Sequence, residues 1–176
     1  MSNLAALLLR LVIGSLLAGH GAQKLFGWFS GPGIEGTTGF MEMLGLKPGR
    51  PWAVLAGLTE FGGGVLTILG FLSPVGPISI IGSMAMATAT AHRGKPIWNT
   101  EGGAELPVTN ISASTVLILN GPGKYSLDRL FGIRLPAWIA PVGLATVIAI
   151  VLYFSGTTQT PPEQDEAREE LAGEEE

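Results

Sequence analysis

An apolar run long enough to cross a bilayer, yet interrupted by charge, is the strongest constraint on this chain. Leu4 to Phe29, LAALLLRLVIGSLLAGHGAQKLFGWF, carries Arg10, His20, Gln23 and Lys24 among aliphatic residues. At ~100° per residue, Arg10, Leu17 and Lys24 align at i, i+7 and i+14, with Gly14 and Gly21 beside them and His20 one turn before Lys24. A charge facing lipid costs at least ~3 kcal/mol, so this small, polar face is expected to turn towards other helices or a wet cavity.

Composition agrees. Only 14% of the 176 residues are charged and 47% are hydrophobic, with mean hydropathy +0.42, whereas a soluble domain carries about 25% charged residues. The expectation is one helical bundle whose outer apolar surface is taken up by lipid. Twenty-six glycines suit close helix packing there. The absence of cysteine excludes a disulfide, a thiol relay or a cysteine metal site built from this chain. The net charge of −4 belongs to the tail: Glu163 to Glu176 holds eight of the fourteen acids, and residues 1–160 are net positive. Leu11 to Ala18 resembles a signal-peptide core, but no basic segment precedes Leu4 and Arg10 interrupts the run, so a retained helix is expected.

Further spans follow in order. After Trp28, a Gly- and Pro-rich stretch with an apolar patch from Thr38 to Leu46 predicts a loop with a short interfacial helix. Pro51 to Leu72 is a second span whose one charge, Glu60, is flanked on the helical wheel by Ala53, Ala56, Gly57, Gly63, Gly64 and Thr67. Val75 to Ala91 is a third, rich in small residues and ending at His92-Arg93. Val108 to Asn120 is short for a span, which takes ~20 residues, and needs Glu105 and Leu106 to extend it. Leu135 to Phe154 is 20 residues without a charge and the cleanest span by composition. The tail from Gly156 is acidic, expected to be disordered with at most a short helix around Gln164 to Leu171.

The fragments RLVIGSLLAGHGAQKLFGWF, LTEFGGGVLTILGFLSP, EGGAELP and NGPGKYSLDRL, in this order over residues 7–131, resemble the DoxX family of small prokaryotic membrane proteins. The resemblance implies an all-α membrane protein: a four-helix transmembrane bundle of DoxX type at residues 1–131. Residues 132–155 add a fifth, C-terminal transmembrane helix, and residues 156–176 an acidic tail. It further implies multi-pass insertion in the prokaryotic plasma membrane, with both ends of the four-helix bundle cytoplasmic, and quinone-linked redox chemistry. Family relatives include the small subunit of a thiosulfate:quinone oxidoreductase of thermoacidophilic archaea.

Estimating depth at ~1.5 Å per residue from each span's midpoint puts His20, Lys24, Glu60, His92 and Asn110 in one half of the membrane. Arg10 falls in the other half, with Asp128 beyond it. The functional expectation is a pocket with His20, Lys24 and Glu60 as catalytic candidates and Gln23, His92, Asn110, Glu101 and Glu105 as ligand-binding candidates. His and Lys would donate to quinone carbonyls and Glu would carry protons. Arg10 and Asp128 are expected to form a structural ion pair, or Arg10 to meet carbonyls at the Gly121 break. The competing expectation is that Glu60 merely neutralises His20 or Lys24 and locks the bundle.

Two histidines on different helices are a thin inventory for haem, and no Glu-x-x-His or His-x-x-x-His spacing supports a metal. The expected activity is that of a subunit or accessory in quinone-linked redox chemistry, with quinone as the cofactor and none covalently held. The alternatives are a non-catalytic membrane scaffold and a small-molecule or lipid-binding or transport protein. Expected partners are the bilayer, a redox partner protein and a second copy of the chain; no basic aromatic patch suggests nucleic acid.

Overall fold

Helix boundaries follow glycine and proline closely. The computed structural model describes residues 1–155; the expectations for the acidic tail lie outside the described residues. Those residues form α1 (Asn3–Phe26), α2 (Gly33–Met43), α3 (Gly49–Leu69), α4 (Val75–Ala89), α5 (Glu105–Asn120), α6 (Leu127–Phe131) and α7 (Ile139–Ser155). Pro51, Pro77, Pro107 and Pro141 each occupy the third residue of α3, α4, α5 and α7. The N–H that proline lacks would have no partner within the helix at that position. Ser2 caps α1 by accepting from the Ala5 N–H at 3.2 Å, and Gly27, left-handed at φ 70°, ends it.

All described elements are helical, as expected. Among the described residues, α1 and α3 alone are both long and apolar enough to cross a membrane; α4 and α7 are shorter apolar helices. The expectation is five spans, with Val108 to Asn120 short. The difference is clearest in α7, which has 17 residues because Leu135 to Trp138 enter through a turn, with the Ile139 N–H donating to the Pro136 carbonyl at 3.1 Å. Glu105 and Leu106 do extend α5.

α3 is the central helix, packed by α1, α2 and α4. Its EFGGG segment serves two neighbours at once. A Cβ at Gly64 would lie 2.5 Å from the Ala18 amide nitrogen on α1, and one at Gly63 would lie 2.8 Å from Ser79 Cβ on α4. The opposing face of α1 is the polar, small stripe read from sequence: Arg10, Gly14, Leu17 and Gly21 are all buried. Ile13, Leu17, Ile80 and Met84 form the core between α1, α4 and α5. A second core of Met41, Leu44, Leu46 and Ala53 holds α2 and its following turn over the start of α3. α7 leans on α4, with Val147 over Gly82 and Ile78 over Gly143.

Candidate functional site

Two buried ionic centres lie at opposite ends of the bundle. At the first, Arg10, 3% exposed, donates from Nε to the Thr67 carbonyl at 3.0 Å. From its terminal nitrogens it donates to Ile68 O at 2.9 Å, Tyr125 O at 2.8 Å and Pro122 O. α3 ends here, so the Thr67 and Ile68 carbonyls lie in its last turn and carry the negative end of the helix dipole; Thr67 O also accepts the capping Gly70 N–H at 3.1 Å. Asp128 accepts the Leu72 and Ser73 N–H groups, each at 2.8 Å, in the turn after α3.

Of the two partners expected for Arg10, the structure has the carbonyls just after the Gly121 break, at Pro122 and Tyr125, and no direct pair with Asp128. Among the described residues, the side-chain ion pairs are Lys24–Glu60 and Arg50–Glu35. The guanidinium spends its planar fork on carbonyls of the α3 end and the 121–125 loop, while the carboxylate is taken by backbone N–H donors.

At the second centre, Lys24 from the last turn of α1 pairs with Glu60 of α3, whose side chain is 3% exposed against 26% for Lys24. Ser83 of α4 donates to the other Glu60 oxygen, Oε1, at 2.8 Å. Small residues make this meeting feasible, since Gly57 and Gly64 keep the face of α3 open to α1 one turn to either side. The triad sits at the floor of a cavity of about 430 Å³ between α2, α3, α4 and α7, otherwise lined mainly by aliphatic and aromatic side chains.

The hydroxyls lining this cavity are committed to the protein. Thr59, Ser79, Thr90 and Thr146 donate to carbonyls of their own helices, and Ser83 donates to Glu60. The remaining side-chain donors on the lining residues are the Lys24 ammonium, with protons beyond the one given to Glu60, and the Trp52 indole. The site can thus receive a molecule with an apolar body and a hydrogen-bond-accepting polar end.

Of the eight residues expected around the pocket, Lys24 and Glu60 line it. His20 is exposed on the outer side of α1, and Gln23 lies where its backbone and Cβ pack against Gly31. His92 Nδ1 lies 2.6 Å from the Gly102 carbonyl, and Glu105 accepts the Asn99 N–H at 3.0 Å, so both organise the loop between α4 and α5. Asn110 donates to Met84 Sδ at 3.6 Å, and Glu101 is exposed in the turn Asn99–Glu101. Rotation about each helix axis separates the other six from Lys24 and Glu60.

Sequence reading missed Ser83 and the contribution of α7. A signal for the first exists: Ser79, Ser83, Met86 and Thr90 fall at i, i+4, i+7 and i+11 and share the cavity face of α4. The α7 wall of Gly143, Thr146, Val147 and Ile150 carried only Thr146 as a signal, too little to orient a helix otherwise apolar around its axis.

A family model described as DoxX matches residues 5–93. That span holds α1 to α4 and therefore Arg10, Lys24, Glu60 and Ser83; α5 and α7 lie beyond it. No curated protein and no solved structure matches the chain.

Proposed function

Because the chain belongs to the DoxX family of membrane proteins, we propose that it is a multi-pass membrane protein whose cavity takes the head group of a quinone, in the service of a redox partner protein. The observation that carries this reading is the Lys24–Glu60–Ser83 triad at the floor of an otherwise apolar cavity. Ionisable groups kept within a membrane bundle face cavities or one another and mark ligand or proton paths. About 430 Å³ lies within the ~300–1,000 Å³ of typical small-ligand sites.

The donor set fits a quinone. Its carbonyl oxygens accept hydrogen bonds, and Lys24 is placed to donate one while Glu60 holds its charge in position. Glu60, bonded to Ser83 at Oε1, is the residue able to hold a proton beside the head group. The apolar walls exclude water from that end. A bound quinone supplies two-electron, two-proton chemistry; the electrons come from the partner.

The test is extraction of the protein purified in mild detergent. The expected result is a quinone whose absorbance changes on reduction, with content falling ~tenfold in the double variant Lys24→Met/Glu60→Gln. Wild-type protein holding no more quinone than an unrelated membrane protein purified alongside would overturn the proposal. One observation favours a second reading, a structural scaffold: the two ions already satisfy one another. Under that reading the double variant loses thermal stability and its bound molecules are unchanged.

A further inference from the structure

The cavity is walled by four helices, but two of its walls are not packed against each other. α7 rests on α4, and no comparable packing joins α7 to α3. What links α3 and α7 is an edge-on ring contact between Trp52 and Phe154, centroids 4.4 Å apart. Trp52 lies in the first turn of α3 and Phe154 in the last turn of α7, so the two helices run antiparallel. One turn further in along each helix lie Leu55 of α3 and Ile150 of α7. Both line the cavity, yet Leu55 is 50% and Ile150 42% exposed. They are the lips of an opening.

The opening is apolar on both lips, and lipid chains would meet these exposed side chains if the bundle is inserted as proposed. The route from the loop side is covered instead, because Met41, Leu44 and Leu46 of the α2 region are buried across that end. A cavity of about 430 Å³ accommodates a head group and the start of a chain, and the remainder must leave somewhere.

We infer that the gap between α3 and α7 is a lateral entrance from the bilayer. Its occupant is a membrane-dissolved amphiphile with an accepting head on Lys24 and an apolar chain that passes out between Leu55 and Ile150. This rests on the head-group reading of the same cavity and adds the route and the second half of the ligand. It makes α7, which lies outside the family-matched residues, the wall that selects for a chain.

The chain has no cysteine, so Leu55→Cys/Ile150→Cys introduces the sole thiols, at exposed positions where folding should be retained and can be checked by thermal unfolding. The rate at which a short bifunctional thiol reagent bridges them is measured with a benzoquinone bearing a decyl chain and with the same quinone lacking the chain, each at saturating occupancy. The chain-bearing quinone should slow bridging ~tenfold, and the chainless one should leave it unchanged. A bound chain-bearing quinone that gives no protection, or equal protection by both quinones, overturns the lateral route while leaving the head-group site standing. Full protection by phospholipid alone, with no added effect of quinone, assigns the gap to a bilayer lipid and also overturns it. Absence of binding by either quinone removes the head-group reading itself, and the route with it.

Discussion

A carboxylate as enclosed as Glu60 persists inside a bundle while an ammonium answers it, and here the two partners are unequally placed. Lys24 keeps 26% of its side chain exposed and Glu60 only 3%. Removing Lys24 therefore strands a charge with Ser83 as its remaining partner, whereas removing Glu60 leaves an ammonium that can reach towards water. Lys24→Met should cost ~3 kcal/mol and Glu60→Gln less. The double variant should lose less than the sum, with ~1–3 kcal/mol of coupling, in thermal unfolding of detergent-solubilised protein. Equal single losses that add would disprove the asymmetry. Arg10 is a second case at this scale. Its four bonds run to carbonyls in two separate segments, a pattern that the single ammonium of lysine cannot reproduce. Arg10→Lys should lower stability by ~3 kcal/mol, and a variant melting like the wild type would show that the fork is dispensable.

Helix α3 carries the geometry of the whole bundle through three adjacent glycines that do different things. Gly63 and Gly64 let α4 and α1 approach until no Cβ fits, while a Cβ at Gly62 would meet nothing within 4 Å. Alanine is favoured over glycine within a helix by ~1 kcal/mol, so Gly62→Ala should raise the melting temperature slightly. At Gly64 the Ala18 amide nitrogen stands 2.5 Å from the new methyl, and Gly64→Ala should cost ~1–3 kcal/mol through overpacking. Opposite signs at neighbouring positions are the expected outcome; two shifts of the same sign would contradict the crossing described here. α7 stands at the other extreme. It has no buried residue and leans on one helix, which suits a wall that borders a cavity better than a strut that bears the fold.

For the molecule as a whole, the two ends are chemically distinct. At one end the Met1 ammonium meets Asn120 and the Lys124 N–H meets Asn3; at the other, Arg93 donates to the Ser155 carbonyl at 3.0 Å. Under the proposed multi-pass arrangement these ends emerge on opposite sides, and single cysteines at Lys124 and Lys95 should be labelled by an impermeant maleimide from opposite faces of sealed vesicles. Labelling of both from one face would rule out the multi-pass arrangement. Much of this was readable in the chain: the membrane composition, the inward stripe of Arg10, Gly14, Leu17 and Gly21, and the isolation of Glu60 among small residues are properties of spacing along one helix. Periodicity of 3.6 residues specifies which side chains share a face, and the cost of charge in lipid specifies which face turns inward. Which faces meet is a different matter, since rotation and crossing of separate helices are settled by packing between them. Only the tertiary structure therefore brought Ser83 to Glu60, chose carbonyls over Asp128 between the two partners expected for Arg10, turned His20 outward, and set the largely apolar α7 across a gap from α3.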